Sequence, residues 1–262
     1  MRLPEESVPA LSIYQTSGAL RAFDASMVAK SVCIAILVWA ALLVSASVPA
    51  GAHAKPTRSY EQRKSGLLER QAALSAQWKG STQSQVDLAA LEAELVSELE
   101  FLADFWVGST WGRGNPQSST PQRGKINCGT FVGTLLRDIG FTIDVKTLQR
   151  QASQGIIRSF VGGKRVRKFS GASMKRFLAS VKEMGPGLYI IGLDLHVGLL
   201  IQNEDELLYM HSSSETGKVA KELAMDAWTI QSSNYRVVGK ILSRKNLRFW
   251  LTRRRVEVKG NS

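Results

Sequence analysis

From residue 85 to 106, apolar side chains return every third or fourth position. Leu88, Leu91, Leu95, Leu99, Leu102 and Phe105 make one continuous stripe, which predicts an amphipathic helix. The opposite face carries Asp87, Glu92, Glu94, Glu98, Glu100 and Asp104 and no basic residue. Such a face is either a solvated surface or a docking surface for a basic partner, the chain's own basic segments included. A more polar helix is predicted before it, over residues 55–77, with Leu67, Leu68 and Leu74 as its apolar members and Trp78 just beyond. A loop over 79–84 separates the two.

The pattern then breaks. Residues 108–124 hold Gly108, Gly112, Gly114, Pro116, Pro121 and Gly124, a density that excludes regular structure. This loop runs into a short helix that begins at Cys128, continues through Leu135, Leu136 and Ile139, and stops at Gly140. A further helix is expected over 145–158. Two β-prone runs, 156–161 and 164–169, flank Gly162-Gly163 and read as a hairpin. A helix over 173–184 is closed by Gly185-Pro186-Gly187. A meander follows, with strands at 188–193, 195–202 and 207–211 and a fourth at 235–242.

Composition is that of a globular protein, 44% hydrophobic, with a net charge of +12. Residues 1–54 contribute nothing to that charge, because Arg2, Arg21 and Lys30 balance Glu5, Glu6 and Asp24. The excess lies later: seven basic and no acidic residues from 158 to 176, then a strongly basic stretch after Ser243. The run 32–48 is apolar and uncharged, preceded by Lys30, and its core is the length of a signal-peptide core rather than a membrane span. Ala52 and Ala54 stand at the positions a signal peptidase reads, so cleavage is expected after Ala54, with the true start at Met27. The expected organisation is a signal region over 1–54, a helical region over 55–106, a main domain over 107–243 and a basic tail over 244–262. The mature protein would be periplasmic or secreted. An uncleaved signal would give its only membrane contact, and nucleic acid is excluded as a partner by export.

Cleavage removes Cys33 and His53. One thiol, Cys128, and two imidazoles, His196 and His211, then remain, so no internal disulfide can form. A helix N-terminus offers free N–H groups and partial positive charge, which favour a thiolate and a nearby oxyanion. His196 opens one predicted strand and His211 closes the next, so a hairpin brings them together at one rim of the sheet. Each residue alone is also compatible with an ordinary core role. Together they fit a cysteine nucleophile, a histidine base and a group that orients the base. The backbone N–H of Cys128 would supply part of an oxyanion hole, with Ser109 or Thr110 as side-chain candidates. Trp111 is either a cleft wall or an anchor holding its loop to the core.

These motifs resemble the NlpC-type cell-wall cysteine peptidases. Asn127-Cys128-Gly129-Thr130-Phe131-Val132 is similar to their nucleophile motif, and His196-Val197-Gly198-Leu199-Leu200-Ile201 to their base-bearing strand. Tyr209-Met210-His211-Ser212 is similar to the strand that orients the base, and Trp111-Gly112 to the Trp-Gly before the cysteine. The resemblance spans residues 105–242. It implies a permuted papain-like α+β fold, a cysteine helix packed on a small antiparallel sheet, and hydrolysis of amide bonds in peptidoglycan stem peptides; no metal and no cofactor is implied. Three positions depart from the pattern. Ser109 stands where a tyrosine is common, Asn127 replaces an aspartate, and Gly187-Leu188 replaces Gly-Asp. These bear on the oxyanion hole and on substrate recognition, where Asn127 joins the cleft candidates, more than on the Cys128, His196, His211 set. Other readings are a catalytically weak envelope binding module of the same fold, and an amidase or acyltransferase acting on another amide.

Overall fold

The computed structural model describes residues 59–80 and 86–258. The expected signal segment, Met27 and the cleavage position lie outside the described residues. Among the described residues the fold is mixed α+β, with one eight-stranded sheet and eight α-helices. No helix among them is long and apolar enough to cross a membrane.

Two helices come first, α1 (Tyr60–Gly80) and α2 (Leu88–Trp106). Asp87 caps α2 by accepting from the N–H groups of Ala89 and Ala90. The apolar stripe is buried as its spacing predicts: Leu95, Leu99, Leu102 and Trp106 are fully enclosed in the same core as the sheet. The acidic face meets the chain's own cations. Glu98 pairs with Arg63 and Glu94 with Arg70, both on α1; Glu100 and Asp104 share Lys221, and Glu92 meets Lys240. Each such surface pair contributes about 0–1 kcal/mol. Their effect is to match α2 to α1 on one side and to the sheet on the other.

The sheet order is β2-β1-β7-β6-β5-β4-β8-β3. Its strands are β1 (Thr110–Trp111), β2 (Lys125–Ile126), β3 (Arg167–Ser170), β4 (Gly187–Gly192), β5 (Val197–Gln202), β6 (Leu207–Ser213), β7 (Lys218–Leu223) and β8 (Tyr235–Lys240). Every neighbouring pair is antiparallel except β1 with β2. β4 and β5 are buried throughout, which explains their unbroken apolar runs. One face meets α1, α2, α3 (Cys128–Asp138), α5 (Ser153–Phe160) and α8 (Arg244–Leu251). The other meets α6 (Met174–Lys182) and Ile230 of the short helix α7 (Trp228–Gln231).

Four expectations are corrected. Residues 108–124 are not wholly irregular, because Thr110 and Trp111 form β1 by pairing with Lys125 and Ile126 of β2, and Thr110 also with Lys218 of β7. The helix expected over 145–158 is two helices, α4 (Val145–Leu148) and α5, with a break at 149–152. The Gly-Gly hairpin does not form. Ile156, Ile157 and Phe160 turn one helical face into the core, Asn246 caps the helix end through the Phe160 carbonyl, and only the second run becomes a strand, paired with β8. The stretch read as a basic tail contains α8, whose Leu247, Trp250 and Leu251 are buried. Trp250 donates to the Ile139 carbonyl at 2.6 Å, and Gln71 on α1 donates to the carbonyls of Gly140 and Trp250. A second tie fixes α1 to α3, where the Tyr60 hydroxyl donates to buried Asp138 at 2.6 Å. Through these bonds the N-terminal and C-terminal helices hold the far end of α3.

Candidate active site

Cys128 is the first residue of α3. Asn127 is its N-cap, with Oδ1 accepting from the Thr130 N–H at 2.8 Å. The loop is tied on three sides. The Gln117 side chain accepts from the Asn127 N–H at 2.6 Å, the Gln149 side chain meets both Thr130 Oγ1 and Asn127 Nδ2, and the Ser212 hydroxyl donates to the Ile126 carbonyl at 2.7 Å. Ser212 neighbours His211 on β6, so this last bond draws the Cys128 loop to the sheet rim that carries the histidines. A Cβ at Gly129 would stand 3.1 Å from the Gln149 backbone, so glycine after the cysteine lets α3 sit close to that segment.

His196 ends the tight turn between β4 and β5, where its carbonyl accepts from the Leu193 N–H at 2.8 Å. Asp194 anchors that turn to the start of β8 by accepting from the N–H groups of Asn234 and Tyr235. His196 Nε2 lies 2.8 Å from His211 Nδ1, and His211 Nε2 lies 2.9 Å from Glu222 Oε1. Tyr209 stacks on the His211 ring with centroids 4.2 Å apart. A Cβ at Gly198 would run into the Tyr209 ring, so glycine on β5 makes room for this stack.

Cys128 and His196 line one cavity of about 420 Å³ with Arg113, Asn127, Gln149, Gln151, Ser153, Asp194 and Leu195 among its walls. No hydrogen bond joins the thiol to the imidazole in this conformation. Such catalytic contacts often tighten only with substrate bound. Leu195 is 96% exposed at the mouth, an apolar side chain held beside His196.

Other sequence candidates sit elsewhere. Ser109 is buried and its hydroxyl accepts from the Gln122 N–H at 3.0 Å, a loop tie. Thr110 and Trp111 form β1, pairing with Lys125 and Ile126 of β2. None of the three lines the cavity. Asn127 does, with its side chain engaged in capping. The sequence reading missed Arg113, Gln117, Gln149, Ser212 and Glu222. Arg113 alone had a visible signal, a cation in the glycine-rich loop before the cysteine.

The electrostatics differ from the expected thiolate. Burial pushes the Cys128 thiol above its ordinary range, against a smaller pull downward from the N–H groups of Val197, Gly129 and Cys128 and from the Arg113 charge. Burial, with the neighbouring His211, holds His196 down to about 3, and burial alone holds His211 down to about 4. The His211–Glu222 contact is therefore a neutral imidazole donating to a carboxylate, even though Glu222 lies within ion-pair distance. At neutral pH the resting site holds a neutral thiol and a neutral base.

These shifts carry a consequence for stability. The unfolded chain takes up protons on these histidines below pH 6.5, while the folded chain refuses them until about pH 4 and about pH 3. The unfolded state thus binds more protons across that window, and stability falls as pH drops through it and is unaffected above it. Urea midpoints measured from pH 7 to pH 4 should fall more steeply for wild type than for a variant with both histidines replaced by Gln. Equal slopes would show that the two rings are not held neutral by the fold.

No protein-family model matches this chain, and no curated protein matches it. Two crystal structures of an N-acetylmuramoyl-L-alanine amidase from Bacteroides uniformis ATCC 8492 are similar to it at 11% identity and a TM-score of 0.32. The match covers 56% of this chain and 99% of that one. Similarity that low carries no weight for fold or activity.

Proposed function

We propose that this protein is an exported cysteine hydrolase of the NlpC type, with a permuted papain-like arrangement, that cleaves amide bonds in peptidoglycan stem peptides. The observation that carries the reading is the shared cavity of Cys128 and His196, with His196 Nε2 held 2.8 Å from His211. Cys128 is the nucleophile, His196 the base and His211 the residue that orients it. His196 Nε2 is engaged by His211, so Nδ1 is the nitrogen left to receive the thiol proton. Sγ attacks the amide carbonyl carbon, and the oxyanion is met by the first-turn N–H groups of α3, that of Cys128 among them. The proton on His196 then passes to the departing amine nitrogen as the C–N bond breaks. Water, deprotonated by His196, hydrolyses the thioester and regenerates the thiol.

Substrate class follows from the walls. Arg113 makes no ion pair among the described residues and faces the thiol's surroundings. A guanidinium in the same cavity as Cys128 suits a peptide rich in carboxylates, as stem peptides are. The basic balance of the chain would also raise encounter rates with a polyanionic envelope. Export rests on the apolar segment and small residues before Lys55. One observation favours a second reading, a binding module of the same fold: burial of the Cys128 thiol disfavours the reactive thiolate.

Trapping separates the two. A soluble muropeptide mixed with the protein and quenched within one turnover should leave an acyl mass on Cys128, detected in the intact chain. Turnover with no adduct, or full turnover by Cys128→Ala, would overturn the nucleophile assignment. Retention of muropeptide with no turnover at all would support the binding module.

A further inference from the structure

We propose that Glu222 is the positioning residue that sets the tautomers of both histidines and so makes His196 a base. The proposal rests on the Cys128–His196 reading above. Glu222 lies on β7 as the cross-strand partner of Tyr209, which puts its carboxylate one diagonal step from His211 on the same face of the sheet. The contacts run in series: Glu222 Oε1 to His211 Nε2 at 2.9 Å, then His211 Nδ1 to His196 Nε2 at 2.8 Å.

Hydrogen-bond capacity fixes the direction. An ionised carboxylate can only accept, so His211 Nε2 must carry the proton. His211 is neutral, so its Nδ1 holds a lone pair. The nitrogen facing that lone pair, His196 Nε2, must donate. His196 is neutral as well, which leaves the lone pair on its Nδ1, the one remaining nitrogen and the one that must meet the thiol. Reversing the first contact reverses the rest. A donor in place of the carboxylate would put hydrogen on His211 Nδ1 and then on His196 Nδ1, and the base would have no lone pair for the thiol. No other side chain hydrogen-bonds to His211 Nε2 among the described residues, so the polarity of the series has a single source. Tyr209 stacks on the His211 ring and its hydroxyl makes no hydrogen bond to that atom, so it holds the ring in plane without choosing the tautomer.

Glu222 is about one-third exposed on its strand, so Glu222→Ala should fold. The direct test is nuclear magnetic resonance of the full chain with ¹⁵N-labelled histidine rings, at pH 7, using long-range proton–nitrogen correlations. Signals are assigned with His196→Gln and His211→Gln. Wild type should show both rings protonated at Nε2 and bare at Nδ1. Glu222→Ala, with unchanged backbone dispersion, should show mixed or Nδ1-protonated rings, and kcat on a soluble muropeptide should fall about tenfold or more with KM little changed. Nδ1 protonation of either ring in wild type, or unaltered tautomers in Glu222→Ala, would overturn the proposal. The ring measurement does not depend on turnover. Predicted tautomers in a protein that hydrolyses nothing would leave this inference standing and remove the enzyme reading instead.

Discussion

His196→Ala should lower amide hydrolysis by about 10²–10⁴-fold, the usual contribution of a positioned general base. The effect should fall on kcat, because the imidazole acts on the reacting proton rather than on distant parts of the substrate. Here the loss should be large because the thiol does not ionise in advance. Burial keeps Cys128 protonated and keeps His196 neutral down to about pH 3, so attack and proton transfer depend on the base at the same moment. His211→Ala should cost less, about tenfold to a hundredfold, since it removes only the partner of His196 Nε2. Steady-state rates of the two variants on one substrate check this. Equal losses, or a greater loss for His211→Ala, would assign the base to the wrong ring.

The second large effect is on folding. Leu95 is fully enclosed at the centre of the α2 stripe, in the core shared with the sheet and α3. Leu95→Asp would bury a carboxylate without a partner and remove the packing of the leucine, and should destabilise the protein by several kcal/mol, about 4 or more. That is a large part of the stability of a typical domain. Leu68, on α1, is 40% exposed, so Leu68→Asp should change stability by less than about 1 kcal/mol. Urea unfolding of the two variants beside wild type makes the comparison. A similar midpoint for Leu95→Asp and wild type would show that the stripe is not packed as described.

Much of this was legible where the signal was local. The α2 stripe, the helix starting at Cys128 and the β4–β5–β6 meander all follow from apolar spacing and turn residues. The closeness of His196 and His211 follows from hairpin geometry alone. The illegible parts depend on contacts distant in sequence. β7 reads Lys-Val-Ala-Lys-Glu-Leu with only Val219 buried, and a strand so polar becomes visible only through its pairing with β6. Glu222 was hidden with it. The run 156–161 has β propensity, yet its apolar residues also fit a helical face, and packing on the sheet decided for the helix. Residues 244–251 look like a solvated basic tail until Trp250 and Leu251 are seen to be buried. The thiol expectation failed for a related reason. Position at a helix N-terminus can be read from sequence, whereas the burial that outweighs it cannot.

The most direct test of the central claim is digestion of purified peptidoglycan by wild type and by Cys128→Ser, with the released fragments identified by mass. The account predicts that wild type releases fragments bearing a new amine and a new carboxylate from one stem-peptide amide, and that Cys128→Ser, folded to the same stability, releases none. Release of the same fragments by Cys128→Ser, or no release by wild type at any enzyme concentration, would contradict it.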